Sequence, residues 1–337
     1  MLEVRENVDL KDYNTFGVSV LGRYFVESDE VKALADFVRG QTWDPELVLV
    51  LGGGSNFLFT GDFPGVVFYP VMKGIEVVEE DQACVYVRVG SGELWDDFVC
   101  WAVEQGYGGV ENLSLIPGHV GATPVQNIGA YGMEVGNVIE RVEAIHLQSG
   151  RVELVRAAAC RFGYRDSVFK NEWKNQFLVT HVTFRLAKEP VFNVSYGSLR
   201  EEVERLGELS LNHVREAVIR IRNQKLPNVR LLPNAGSFFK NPLMRREQVE
   251  RLRKQYPTLP VYPLDEDYVK VAAGWLIEAA GWKGRALGRA AVHDKQALVL
   301  VNRGGATGEE IARLANEVKK AVFMAFGVWL ESEVNII

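Results

Sequence analysis

LVLVLGGGSNFLF occupies residues 47–59. Residues 47–51 form a short, wholly apolar run, the pattern of a strand buried on both faces of a parallel sheet. The run stops at Gly52, Gly53 and Gly54, followed by Ser55 and Asn56. Three residues without Cβ let backbone N–H groups approach a ligand closely. Two readings stay open for this turn: a nest of amides for phosphate oxygens, or a plain tight turn. It is not a dinucleotide fingerprint, because G-x-G-x-x-G counted from Gly52 needs glycine where Phe57 stands. No Gly-Lys dipeptide occurs anywhere, so there is no Walker A loop.

On either side, residues 22–27 alternate as a strand, and 57–59 and 66–69 add two more. Residues 29–38 read as a helix with Val31, Leu34, Ala35 and Val38 on one face. Beyond residue 71 the texture becomes β-rich. Strands are expected at 75–78, 85–89, 142–147, 152–155 and 177–184, with one helix at 93–104 and a long glycine-rich loop over 115–136. A connecting helix follows at 214–224. Past Lys225-Leu226-Pro227 come helices at 246–255 and 272–280 and a strand at 296–301. The last helix opens with the capping box Thr307-x-x-Glu310 and carries Ile311, Leu314, Ala315, Val318 and Val322 on one face. Gly327 ends it, and VWLESEVNII reads as a terminal strand. The organisation is therefore a small α/β unit (1–70), a β-rich unit (71–226), a smaller α/β unit (227–326) and a returning strand (327–337), an α+β chain.

The 337 residues are 47% hydrophobic and 24% charged, a globular balance that rules out disorder as the main state. Lys and Arg number 38 against 44 Asp and Glu, a net −6, which disfavours a nucleic-acid partner. Cys84, Cys100 and Cys160 are far apart and contain no C-x-x-C, so neither a disulfide framework nor a thiolate metal site is expected. The five histidines form no ligand pair, and no metal is expected. MLEVRENVDL has no apolar core of a signal peptide, and no apolar run is long enough to span a bilayer. A soluble cytoplasmic protein is expected.

Two loops beyond the first carry chemistry. IPGHVGATPVQNIGAYG (116–132) is long, punctuated by Pro117, Gly118, Gly121, Gly129 and Gly132, and holds Gln126-Asn127 at its centre. Backbone amides with an Asn/Gln pair suit a heteroaromatic ring or a pyrophosphate; a loop packed for its own structure is the plainer reading. LPNAGSFFKNP (232–242) sets Ser237 between Gly236 and Phe238, as a hydrogen-bonding or proton-donating hydroxyl or as a helix cap. In Tyr164-Arg165-Asp166-Ser167 the arginine is by default a surface ion-pair partner. Glu331 and Glu333, two apart on the terminal strand, are by default a solvated pair.

Taken together, NTFG (14–17), LGGGSN (51–56), IPGxxGAxPVQNIGAYG (116–132), YRDSxFK (164–170), KLPN (225–228), NAGSFFKNP (234–242), AAGWLIE (272–278), HxxQALVLVN (293–302) and LExEV (330–334) resemble the UDP-N-acetylenolpyruvoylglucosamine reductase family nearly end to end. The stretches at Tyr196-Gly197 and from Tyr262 to Lys270 resemble its longer, type I branch. The chain departs from the family pattern at Ser332 and Asn335, where Pro and Arg are common.

The resemblance implies a two-part FAD-binding domain of the vanillyl-alcohol-oxidase (PCMH) type over about 18–189 and a substrate-binding domain from about 227. It implies an oxidoreductase of peptidoglycan synthesis, a UDP-N-acetylmuramate dehydrogenase with non-covalent FAD as cofactor and NADPH as co-substrate. The partner would be a small nucleotide sugar, with no nucleic acid or membrane, and the protein a monomer. The catalytic residues would be Arg165, Ser237 and Glu333. FAD would be held by Gly52, Gly53, Gly54, Ser55, Asn56, Pro117, Gly118, Gly121, Ala122, Gln126, Asn127, Gly129, Ala130 and Tyr164. Substrate would be held by Tyr131, Tyr196, Lys225, Asn241, Tyr262, Lys283 and Gln296. Glu333 would have to act as a neutral donor. Two rival readings keep the pocket: a flavin oxidase using O₂, and a nucleotide-sugar-binding regulator without turnover.

Overall fold

The computed structural model describes residues 1–337 and divides into two compact units. The first comprises Met1–Val8, Gly22–Gly53 and Phe63–Gln224; the second comprises Asp9–Leu21, Gly54–Asp62 and Lys225–Ile337.

The first unit opens on a four-stranded sheet in the order Leu2–Asp9, Leu21–Ser28, Phe63–Pro70, Val48–Val50. The last three strands are parallel, with Val26 beside Phe68 and Leu49 beside Val67. The expected buried run at 47–51 narrows to Val48–Val50, because Leu47 is half-exposed and closes a 3-10 turn whose first amides are capped by Asp44. Helix Val31–Arg39 buries Leu34, Ala35 and Val38 against Val26, Val48 and Phe68.

A five-stranded antiparallel sheet follows, in the order Val152–Arg156, Ile139–His146, Phe177–Ala187, Cys84–Gly90, Ile75–Glu80. Strict alternation in CVYVRVG turns Val85, Val87 and Val89 inward and leaves Tyr86 and Arg88 on the other face. Helix Trp95–Glu104 covers the inner face; Phe98 stacks on Phe184 at 4.7 Å, and the Trp95 indole donates to the Leu113 carbonyl at 2.8 Å. The other face carries a half-buried polar cluster: Arg88 makes two 2.7 Å bonds to Glu143, and His181 lies beside that carboxylate.

The helix expected to connect domains runs as Leu211–Lys225 and is more than a connector. Val214, Ala217, Val218 and Ile221 form an i, i+3, i+4, i+7 stripe that packs on helix Leu199–Leu206 through Leu199 and Val203. The long loop over 115–136 is subdivided into a 3-10 turn Val120–Ala122, a one-turn helix Thr123–Gln126 and a small hairpin Gly129–Ala130 with Met133–Glu134.

The second unit holds a four-stranded sheet in the order Asn234–Ser237, Val299–Asn302, Ala290–Val292, Ala286–Leu287. Helix Gly308–Phe326 lies with it and buries the expected face, Ile311, Leu314, Ala315, Val318 and Val322. Both halves of its capping box form: the Glu310 amide donates to Thr307 Oγ1 at 3.2 Å, and the Thr307 amide donates to Glu310 at 2.9 Å. A Cβ on Gly308 would sit 1.7 Å from the Phe59 carbonyl oxygen, so only glycine fits there. The strand expected from 296 begins at Val299, because Gln296 and Val299 close a turn through a 3.0 Å backbone bond.

The expected terminal strand is split. Ser332 bridges Phe239, then the chain changes partner, and only Asn335–Ile336 forms a ladder, parallel to Phe57–Leu58. No helix is long and apolar enough to cross a membrane.

Candidate functional site

In the first unit, two glycine loops lie flank to flank. A Cβ on Gly53 would sit 2.8 Å from Gly118 Cα, and one on Gly52 would sit 3.4 Å from the Ala122 methyl. The second loop is pinned from behind: Trp95 donates to the Gly118 carbonyl at 3.0 Å, and the Gly121 amide donates to the Ser91 carbonyl at 2.9 Å. A Cβ on Gly121 would meet the Ser91 Cβ at 2.6 Å. The amides of Gly52, Gly53 and Gly118 donate to no backbone carbonyl of the protein. Such a cradle of backbone donors fits a diphosphate, so this part of the chain suits a nucleotide cofactor. His119 sits in the second loop with its ring 5.8 Å from that of Tyr69. Burial pushes its pKa down, helped by Lys73, so it stays neutral at neutral pH.

The central Asn/Gln pair does something other than present free amides. Asn127, with φ +42°, donates to Glu134 at 2.8 Å and to the Gly163 carbonyl at 2.7 Å, and accepts from the Gly136 amide at 2.9 Å. Gln126 Oε1 accepts from Lys170 at 3.0 Å. The Asn127 side chain is spent on the loop's own shape, and that of Gln126 is tied to Lys170 through its oxygen.

Arg165, with φ +54°, donates to the Gly129 carbonyl. A Cβ on Gly129 would lie 2.8 Å from the Arg165 guanidinium and 2.9 Å from the Met133 carbonyl oxygen, and the second, being backbone, cannot give way. The guanidinium also lies 5.6 Å from the Tyr164 ring centre. Lys170 donates to the Arg165 carbonyl at 3.2 Å and fixes its backbone. Tyr131, with φ +48°, meets Tyr196 edge-to-face at 6.0 Å, and its carbonyl accepts from Asn112 at 2.9 Å. Positive φ at four non-glycine residues, Leu115, Asn127, Tyr131 and Arg165, is the kind of backbone strain that collects at functional sites.

Arg222 also belongs here and was missed in the sequence. Burial lowers its proton affinity, Tyr131 and Asp96 raise it, and Arg165 lowers it, so its guanidinium lies among those groups. The available signal was its place three residues before Lys225 on one helical face. Tyr131 is pushed up by burial and drawn back by Arg222.

The second unit brings together the other half of LGGGSN, Ser237 and Glu333. Gly54, with φ +62°, packs so closely on residues 13–14 that a Cβ would lie 1.9 Å from the Tyr13 carbonyl oxygen. Asn56 Nδ2 donates to the Glu333 carbonyl at 3.2 Å, and the Asn335 amide donates to the Asn56 carbonyl at 3.0 Å. The Glu333 amide donates to the Phe238 carbonyl at 2.8 Å, and Lys240 donates to the Glu331 carbonyl at 3.0 Å. Glu331 itself is solvent-facing and reaches Lys240 at 3.5 Å, as its default reading expects.

The remaining candidates are dispersed through the second unit's own framework. Asn241 accepts from the first amide of helix Ala273–Ala279 at 3.0 Å, and Lys283 pairs with Glu278 at 2.9 Å. Gln296 accepts from Leu298 at 3.4 Å, while its own amide donates to His293 Nδ1 at 3.2 Å. Tyr262 is exposed on the strand beside Lys270, and Lys225 is exposed at a helix end. No group of three or more His, Cys, Asp or Glu stands ready to hold a metal ion.

Residues 23–156 match the family model of an FAD binding domain, and residues 227–337 match that of the UDP-N-acetylenolpyruvoylglucosamine reductase C-terminal domain. A protein of Bacteroides fragilis named UDP-N-acetylenolpyruvoylglucosamine reductase is 46% identical over 335 residues, 99% of this chain and 100% of its own length. Its namesake in Flavobacterium johnsoniae is 44% identical with both chains fully covered. The one in Burkholderia orbicola is 47% identical over 96% of this chain and 94% of its own. The crystal structure of UDP-N-acetylenolpyruvylglucosamine reductase from Thermus caldophilus superposes with a TM-score of 0.71 over 100% of this chain and 99% of that one, at 24% identity, and shares its fold.

Proposed function

The chain belongs to the UDP-N-acetylenolpyruvoylglucosamine reductase family, and from that premise we propose that it reduces the enolpyruvyl ether of UDP-N-acetylglucosamine to UDP-N-acetylmuramate with NADPH. The observation that carries this reading is identity of 44–47% to proteins of that name over nearly the full length of both chains. FAD, when bound, would supply the hydride chemistry that links NADPH to C3 of the enolpyruvyl group. Gly52, Gly53 and Gly118 offer the backbone donors for its diphosphate, with the rest of the two loops and Tyr164 around it.

The chain's own work follows from where charge develops. Hydride addition at C3 drives negative charge onto C2 and its carboxylate. Arg165 answers that charge with a guanidinium that stays protonated. Glu333 serves as a neutral acid, because an ionised carboxylate would repel the enolate. Ser237 gives its hydroxyl proton to C2. A serine hydroxyl is a weak acid, and this works only against so basic an acceptor. Tyr131, Tyr196, Lys225, Asn241, Tyr262, Lys283 and Gln296 recognise the sugar, carboxylate and diphosphate, and Lys225 also meets the NADPH phosphate. The protein acts as a cytoplasmic monomer.

Incubation of the purified yellow protein with NADPH and the enolpyruvyl nucleotide sugar tests the reading. One NADPH should be consumed per UDP-N-acetylmuramate formed, identified by mass. NADPH consumption that is indifferent to the sugar and follows O₂ would favour the oxidase reading instead.

A further inference from the structure

Asp96 stands at the first turn of helix Trp95–Glu104 and carries two unrelated loads. Its Oδ1 accepts from the backbone amide of Leu115, and its two oxygens accept from the Arg215 guanidinium at 2.7 and 3.0 Å. Burial pushes the carboxyl up, but the Arg215 fork and the Leu115 amide outweigh it and hold it below the ordinary carboxylate value. It is ionised at neutral pH.

Each load leads to the neighbourhood of Arg165. Leu115 has φ +58°, a conformation that favours glycine, and it is the residue from which the 116–132 loop departs. That loop carries Gly129, which receives the Arg165 guanidinium, and Tyr131. Arg215 lies on helix Leu211–Lys225, and Arg222 is seven residues on, two turns along the same face. Arg222 feels the like charge of Arg165, and Asp96 is the carboxylate that offsets it there. Arg222 Nε is buried without a hydrogen-bond partner, and the Asp96–Arg215 fork lies two turns away on the same helix face.

We propose that Asp96 is a positioning residue for the reduction step: by locking Leu115 and Arg215 to one carboxylate, it fixes the loop and the helix that place Tyr131 and Arg222 around Arg165. The inference rests on the reading that Arg165 acts on the enolpyruvyl group. Its signature is a split between rate and affinity. Misplacing groups around a reacting centre costs rate steeply. Removing a negative charge beside two guanidiniums does not weaken their attraction for an anionic ligand.

Asp96→Asn keeps an oxygen for Leu115 and loses both the charge and the charge-assisted fork. In the flavin-loaded variant, return of the flavin absorbance on adding the enolpyruvyl sugar should be at least about 10-fold slower than in the parent. The dissociation constant of that sugar, measured by calorimetry on the oxidised protein, should be unchanged or lower. Arg215→Lys keeps the charge count but loses the fork, and should slow the same step. It decides the matter if Asp96→Asn fails to fold. Parent-like rates in both variants would overturn the proposal. So would a fall in rate matched by an equal loss of affinity, which is general loosening. A parent protein whose flavin never responds to the sugar would instead sink the functional reading beneath it.

Discussion

The backbone amide of Glu333 donates to the carbonyl of Phe238 at 2.8 Å, which ties the residue after Ser237 to the last acidic residue of the chain. The Asn56 side chain holds the Glu333 carbonyl from the other direction. The terminal segment is also held to residue 56 main chain to main chain, through the Asn335 amide and the Asn56 carbonyl at 3.0 Å. The positions of Ser237 and Glu333 do not depend on the rotamers of long surface side chains.

Ser237→Ala removes a hydroxyl from a strand end and nothing from the core. Bleaching of the flavin by NADPH should stay within about two-fold of the parent, while its recolouring by the enolpyruvyl sugar should slow by roughly 10²–10⁴. Equal slowing of both phases would assign Ser237 a general positioning role. Rapid-mixing absorbance at the flavin band reads both.

Glu333→Gln keeps a hydrogen-bond donor that cannot ionise. Recolouring by the enolpyruvyl sugar should therefore slow far less in Glu333→Gln than in Glu333→Ala, which removes the donor. Equal slowing in the two variants would contradict the neutral-donor role.

Gly53→Ala forces a methyl to within 2.8 Å of Gly118 Cα. The loops must separate, at a cost of about 1–3 kcal/mol by the usual penalty for overpacking. Purified Gly53→Ala should carry much less FAD per chain than the parent, with unchanged far-ultraviolet circular dichroism. Full FAD content would show that the two loops do not jointly form the cradle.

His181 is lowered to about 4 by burial and by Arg88, against the pull of Glu143. The folded protein therefore holds it neutral where the unfolded chain, near 6.5, protonates it. The unfolded state binds the extra proton between about pH 4 and 6.5, so stability rises with pH across that window, by at most about 1.4 kcal/mol per unit from this group. Urea unfolding of His181→Gln at pH 5 and pH 7 should show a smaller difference than the parent. An identical difference would place the acid sensitivity elsewhere.

Local pattern made much of the fold legible. The capping box at Thr307 and the face from Ile311 to Val322 form as read, and the parallel run before Gly52 forms in shortened form, as Val48–Val50. Helix Leu199–Leu206 went unread although Leu199, Val203 and Leu206 share a face and Gly207 ends it; its charge-rich surface hides a stripe that only helix Leu211–Lys225 can cover. The split of the terminal strand was not legible, because its cause is a change of partner from residue 239 to residues 57–58, far away in sequence. At the site, residue types suggested that Asn127 would meet a ligand, whereas Glu134, Gly136 and Gly163 consume its side chain. Asp96 and Arg222 carry no motif, and only packing reveals them.

The most direct measurement is anaerobic rapid mixing of the NADPH-bleached protein with the enolpyruvyl nucleotide sugar. Full return of the yellow absorbance, with one UDP-N-acetylmuramate formed per flavin and a strongly slowed return in Arg165→Met, is the expected result. Flavin that stays bleached until O₂ is admitted, or that recolours equally fast in Arg165→Met, would contradict it.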